Sequence, residues 1–320
     1  VITSPEEKME YAGVTNQFFA TVLRPKEAYN SVVWAKSAQV SIPNGKTPVT
    51  SVNAGLRLPA ATLAPAELKS VGYRIFVGPK HNPMLRKMDK HWGTGWGDVM
   101  QYGWFWFVSR PLNALLNWYH AFLDGLAHKW AWGLAIILLT ITVRICIWPL
   151  HAKSTHTMKR MAKLKPEMDK LKEKYPDDPN KLNTEMMGLY RKFGINPLGG
   201  CLPILVQIPV FIALYWVLLG AVEMRDAPWA LWITDLSSAD PYYVLPVIMV
   251  VSMVIQTKLN PTPPDPIQAK VMMMMPFIFG VMFFWFPSGL VLYWVVNNIL
   301  SIAQQWQITR MIEGGGKKAA

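Results

Sequence analysis

Arg144 is the one charge between Trp130 and Leu150, in the run Ala131–Leu150, AWGLAIILLTITVRICIWPL. A guanidinium only donates hydrogen bonds and stays protonated at any physiological pH, so in such a run it serves a function or a pairing. About 20 apolar residues cross a bilayer core, and a charge at the centre of such a span costs at least ~2.5–3.5 kcal/mol. Two readings follow: Arg144 lies near one end and reaches its guanidinium to the headgroups, or it serves a function within the membrane. Thr140 stands one turn earlier on the same face, and Gln207, Ser252, Gln256, Asn297, Asn298, Ser301 and Gln304 put further polar groups into later apolar runs. Reaching for the headgroups explains Arg144 but not Gln207 or Asn297. Covalent chemistry has no comparable support, because the sequence holds no nucleotide-binding loop, no metal-ligand spacing and no nucleophile–base arrangement. Cys146 and Cys201 lie in or beside apolar runs and form no CxxC pair or disulfide framework. His81 and His91 lack partners at ligand spacing and read as lone surface histidines. A protein that is not an enzyme and carries no cofactor or metal is expected.

The elements that must position these groups are membrane spans. The 320 residues are 52% hydrophobic with 15 Trp and 18 Met, yet mean hydropathy is only +0.18. Such a mixture suggests a membrane domain joined to a polar one. After the span at 131–150, apolar runs follow at about 202–220, 242–257, 271–286 and 288–306. The net charge is +12, and its bases cluster between spans: residues 151–196 hold eleven Lys and Arg against six Asp and Glu. The loop 221–241 instead holds only Arg225 against Glu223, Asp226, Asp235 and Asp240. The positive-inside bias puts 151–196, the Pro-rich connection 258–270 and a short tail, 311–320, in the cytoplasm, and 221–241 outside. Five spans then place the N-terminal region outside and the C-terminus inside. Arg144, Gln207 and Asn297 fall at mid-depth or in the cytoplasmic half, whereas Phe211, Tyr215, Trp216 and Met282–Phe286 fill the outer half. Polar groups buried in one leaflet point to a wet cavity open to the cytoplasm and closed outside.

Residues 1–82 read as antiparallel β structure. Val71–Val77 alternates and ends at Gly78-Pro79, Phe18–Leu23 and Ser31–Trp34 are short apolar runs, and Asn44-Gly45 is a hairpin signal. Residues 83–130 read as a linker leading into an amphipathic helix, with Leu112, Leu115, Leu116, Tyr119, Phe122 and Leu123 on one face and Asn113, Asn117, His120 and Asp124 on the other. Its Trp and Tyr content suits the membrane interface; packing against the β region is the alternative. In 151–196, Met158, Met161, Leu164, Met168, Leu171 and Tyr175 face Leu182, Met186, Leu189 and Phe193 across a turn, as two antiparallel helices would. Pro166 begins the regular helix or kinks it. Lys159, Arg160, Lys163, Tyr175 and Asp177 lie on this hairpin, whose bases read mostly as a solvated face and whose charge also suits docking to a partner. Met272–Met275 suit an adaptable or a lipid-facing surface. With no initiator Met and no signal-like start, the chain is expected to begin inside a larger protein.

Thr140-Ile141-Thr142-Val143-Arg144 with Pro149-Leu150, Asn196-Pro197-Leu198-Gly199-Gly200-Cys201-Leu202-Pro203, Gln207-Ile208-Pro209-Val210-Phe211 and Phe286-Pro287-Ser288-Gly289-Leu290-Val291-Leu292-Tyr293-Trp294 occur in this order. From about residue 100 to 310 they closely resemble the YidC family of bacterial membrane protein insertases. The resemblance implies an α-helical polytopic inner-membrane protein: a five-transmembrane-helix core (spans within 131–310) with a cytoplasmic helical hairpin, preceded by the end of a periplasmic β-sandwich and an interfacial helix. It also implies that the family's first transmembrane helix and most of its sandwich lie upstream. Arg144, Thr140, Gln207, Asn297, Tyr293, Trp294 and Ser301 would line a hydrophilic groove, and Phe211, Tyr215, Met282, Phe283 and Phe286 a hydrophobic slide. The implied partners are nascent membrane proteins, the ribosome and its targeting receptor, the Sec channel and lipids, with no specific nucleic acid. The tail Gly314–Ala320 is poorer in bases than many in the family, which puts ribosome docking through it in doubt. Two other functions remain open: a structural assembly factor for membrane complexes, and a small-solute transporter. The transporter reading lacks an internal repeat or an acidic partner for proton coupling.

Overall fold

Alternation of inward and outward side chains builds the N-terminal elements. The computed structural model of the chain describes residues 2–4, 6–27, 29–41, 47–176, 178–196, 198–259 and 266–316. Its strands are β1 (Ile2–Thr3), β2 (Glu7–Met9), β3 (Ala12–Thr15), β4 (Phe19–Pro25), β5 (Tyr29–Val40), β6 (Val49–Arg57) and β7 (Tyr73–Pro79). Every pairing is antiparallel: β5 pairs with β1, β2 and β6 in one sheet, and β3-β4-β7 form the other. The three expected strands fall on β4, β5 and β7. The Asn44-Gly45 signal lies outside the described residues, but Val40 and Val49 on either side of it are paired.

Residues after 82 are not a linker. Helix α1 (Asn82–Trp92) and a 3₁₀ helix (Trp96–Val99) close onto the second sheet, where Leu85, Trp96 and Val99 join Ala20, Val22 and Phe76 in one buried cluster. His81 caps α1, its Nδ1 accepting from the Met84 N–H at 3.4 Å. Gly93, at φ +58°, ends the helix in the left-handed region. Asp89 then accepts from Thr94 Oγ1 (2.7 Å) and from the Trp96 and Gly97 N–H groups (2.5 and 2.6 Å), fixing the turn that follows. His81 is therefore a helix cap rather than a lone surface histidine, while His91 is exposed. This compact unit runs past the expected boundary at 82 to Gln101 and includes Gly220–Glu223.

The second unit, Tyr102–Leu219 with Met224–Ala320, is helical. Its helices are α2 (Trp106–Ala127), α3 (Ala131–Lys163), α4 (Lys165–Lys174), α5 (Pro179–Lys192), α6 (Leu198–Gly220), α7 (Val244–Leu259), α8 (Pro266–Phe283) and α9 (Ser288–Gly316). Helix α9 packs between α3 and α7; α8 packs on α7, and α2 on α3. Among the described residues one helical run, Trp106–Met158, is long and apolar enough to cross a membrane, and Leu205–Gly220, Val244–Leu259 and Ala269–Phe283 are shorter apolar helices. Asn297, Asn298, Ser301, Gln304 and Gln305 interrupt the apolar run of α9.

Helix α2 mixes polar and apolar side chains on its buried side, where Leu116 lies with Ser109 and Asn113. Trp106, Phe107, Trp118, Phe122 and Leu126 are each more than half exposed. Both faces contribute to the contact with α3: Tyr119 Oη and Thr142 Oγ1 are 2.6 Å apart, and the His120 ring stacks on Trp132 with centroids 3.9 Å apart. Helix α3 runs without a break from the apolar run into the basic segment and stops at Leu164, where Pro166 lies in the first turn of α4. Pro166 thus begins a helix, as its missing N–H allows. Helices α4 and α5 close over Leu164, Met168, Tyr190 and Ile195. Tyr190, absent from the expected seam, is one of its buried members, and Phe193, expected in it, is exposed.

Candidate functional site

Helix α3 buries Ala131, Ala135, Ile136, Leu139, Thr140, Arg144 and Ile147, steps of three and four residues that make one stripe. Arg144 lies on this stripe with only 6% of its surface exposed. Its Nη1 is 2.9 Å from His151 Nε2, two turns further along α3, and its Nη2 donates to the Asn297 carbonyl of α9 at 3.4 Å. Arg144 Nε is buried without a partner. Among the described residues no carboxylate is found paired with Arg144; Asp124 lies beside His120 and His128 instead. Leaving a buried donor unmade costs about 1–3 kcal/mol, so the arrangement is a cation held by neutral acceptors with capacity to spare.

Other polar groups surround α9. Gln207 Nε2 donates to the buried Tyr293 hydroxyl at 3.2 Å, leaving Gln207 Oε1 without a partner. Asn298 Nδ2 donates to Ser252 Oγ at 3.0 Å, Ser301 Oγ to the Asn297 carbonyl at 2.7 Å, and Gln304 Nε2 to the Trp148 carbonyl at 3.5 Å. Thr140 Oγ1 turns back onto the Ile136 carbonyl at 2.7 Å, so the structure does not join it to Arg144. Trp294, expected in the groove, has its ring in an aromatic cluster: it meets Phe211 edge-on at 4.5 Å and lies 5.2 Å from Phe283 and 6.1 Å from Phe279, with its Nε1 buried without a partner. Phe283 continues to Phe286 at 4.9 Å, and Phe286 to Tyr215 at 6.0 Å. Met282 is exposed beside this cluster, as are Met273, Met274 and Met275 further along α8. Of the expected docking residues, Arg160 and Lys163 are exposed at the end of α3. Tyr175 lies under Lys174 and Lys181, with each ammonium about 5 Å from its ring. Asp177 and the Lys159 side chain lie outside what is described.

The acids of the loop 225–243 have structural work. Asp240 accepts from Trp232 Nε1 (2.9 Å), the Tyr242 N–H (3.0 Å) and the Leu245 N–H (2.8 Å), capping α7. Burial pushes the Asp235 carboxyl up, but hydrogen bonds from Ser238, Ser237 and the Asp226 N–H outweigh it and leave it below the usual carboxylate range. The carbonyls of Leu236 and Ser238 take the Gly289 and Ser288 N–H groups at the start of α9. His151, Asp235 and Asp240 are the residues that sequence reading missed in these roles. For His151 a signal existed: seven residues is two helical turns from the lone arginine.

Comparison with known proteins places the chain. The family described as 60Kd inner membrane protein matches residues 122–316, and the YidC periplasmic domain matches 3–115. The chain belongs to the YidC family. A protein named membrane protein insertase YidC in Dechloromonas aromatica is 58% identical over 266 residues, 83% of this chain and 47% of that one. Its namesake in Paraburkholderia phymatum is 46% identical over 310 residues, 97% of this chain and 53% of that one. The crystal structure described as active YidC insertase with the first transmembrane domain resolved superposes with a TM-score of 0.53 at 25% identity, covering 95% of this chain and 65% of that one. The chain spans about half the length of the curated relatives it matches. It therefore has the YidC-like fold of a periplasmic domain and a helical core in an inner-membrane protein. The periplasmic-domain match extends through α1, in agreement with the way α1 packs into the β unit.

Proposed function

We propose that this chain is the working core of a membrane protein insertase that moves single-span and small membrane proteins from the cytoplasm into the bilayer. The observation that carries this is Arg144, buried on α3 with neutral partners and an unused Nε. An acidic segment of an incoming protein supplies the missing anion, and its apolar segment leaves along the aromatic cluster of α6, α8 and α9. The five spans are 131–150 in α3 together with α6, α7, α8 and α9, with the β unit periplasmic and the C-terminus cytoplasmic. Helix α2 lies along the interface, its exposed Trp and Phe side chains suiting the headgroup level. The α4–α5 hairpin is the docking arm for ribosome or targeting receptor, and the core works alone or beside the Sec channel. Partitioning of the substrate and the membrane potential drive the step. Spans as short as 242–257 thin the local bilayer and reduce the apolar distance a polar segment must cross.

The test is insertion into proteoliposomes of a single-span substrate carrying an acidic tail, and of the same substrate with the tail neutralised. A transient partner needs charge more than fork geometry. Arg144→Lys is expected to keep most activity, while Arg144→Ala and Arg144→Glu lose roughly tenfold or more for the acidic substrate and little for the neutral one. Equal loss for both substrates would sink the capture reading and leave Arg144 a structural residue.

A further inference from the structure

The bond between Arg144 and His151 has only one possible direction. A guanidinium carries donors and no acceptor, so His151 Nε2 must accept at 2.9 Å, and the ring is the neutral tautomer with its proton on Nδ1. The other anchor of the guanidinium is the Asn297 carbonyl, also neutral. Tyr293 of α9 is buried, its hydroxyl accepting from Gln207 Nε2. We propose that His151 is a positioning residue for Arg144: it fixes the guanidinium in space while leaving its charge uncompensated. The proposal rests on reading Arg144 as the site that captures acidic segments.

The choice of side chain at 151 sets how available that charge is. A carboxylate there would cancel the charge and offer an ion-paired, bidentate partner that an incoming acid would have to displace. A side chain with no acceptor would leave Nη1 unsatisfied, and the long arginine side chain free to reorient. A neutral imidazole stands between these: strong enough to orient the cation, too weak to compete with an anion. Imidazolium at 151 would instead set donor against donor, so the pair works with neutral histidine.

The experiment uses the full chain in proteoliposomes and the same acidic and neutralised substrates, with His151→Gln, His151→Ala and His151→Glu beside Arg144→Ala. His151→Gln keeps a neutral acceptor and should insert both substrates within about twofold of the parent. His151→Glu should lose roughly tenfold for the acidic substrate and leave the neutral one unchanged. His151→Ala should lose part of the preference for acidic tails. Thermal midpoints in detergent identify any variant that fails to fold, and the Gln and Ala pair still decides if Glu does. The inference is overturned if His151→Glu or His151→Ala treats the two substrates alike while Arg144→Ala still separates them. If Arg144→Ala itself shows no dependence on tail charge, the capture reading falls first and the inference with it.

Discussion

At the scale of single residues, space decides as much as charge. A Cβ on Gly133 of α3 would collide with the Trp229 ring, whereas one on Gly125 of α2 meets nothing within 4 Å. Gly133→Ala therefore forces the indole off its seat and should destabilise the helical unit by about 1–3 kcal/mol, as overpacking does. Gly125→Ala relieves the entropy cost of a helical glycine and should stabilise by about 0.5–1 kcal/mol. Both are read as shifts of the thermal midpoint in detergent; a neutral Gly133→Ala would show that Trp229 moves aside at no cost. Gly103 is constrained twice, by φ +67° and by the Trp216 ring, which a Cβ there would overlap.

At the scale of elements, the α4–α5 hairpin has its own cluster, with Tyr190 Oη 3.9 Å from Met168 Sδ, and many exposed charges. A segment closed on itself can be removed without opening a core elsewhere. Deleting 165–195 and joining the ends by a flexible linker should leave the helical content and thermal midpoint of the remaining helices intact, while insertion in cells falls. Unchanged insertion in cells would remove the hairpin from the mechanism. Helix α2 carries the converse lesson. Its periodicity was legible, but a helical wheel does not say which side chains meet protein: Ser109, Asn113 and Leu116 are buried while Trp118 and Phe122 are exposed.

At the scale of the whole molecule, the chain divides into two units with separate interiors. Leu85 is fully buried in the β unit among Ala20, Val22, Phe76 and Trp96. Leu85→Ala should destabilise that unit by about 2–5 kcal/mol through the cavity it leaves. Insertion by the helical unit, and its dependence on Arg144, should change by less than about twofold. Calorimetry in detergent should show one transition moving and one staying; a single transition shifting as a whole would mean that the units fold together.

What the sequence determined by itself was whatever depends on local pattern. Arg144 stood out because one charge among twenty apolar residues is anomalous without any neighbour being known. The apolar runs, the β4 and β7 strands and the break at Pro166 follow from periodicity and from proline's missing N–H. The ordered motifs from Thr140 to Trp294 carried the family. Tertiary structure decided what depends on register between distant segments. Asn297 lies 153 positions from Arg144 in sequence, and only the packing of α9 on α3 brings its carbonyl to the guanidinium. Helix α1 reads as linker in isolation because its few apolar residues, Met84, Leu85 and Met88, acquire meaning only against a sheet face. Trp294 reads from sequence as a groove residue, and the tertiary structure seats its ring against Phe211 and Phe283 while its Nε1 is buried without a partner. Asp235 and Asp240 read as topology signals, yet their oxygens are spent on loop and helix N–H groups, since a carboxylate near unpaired backbone donors binds them before it serves any longer-range role.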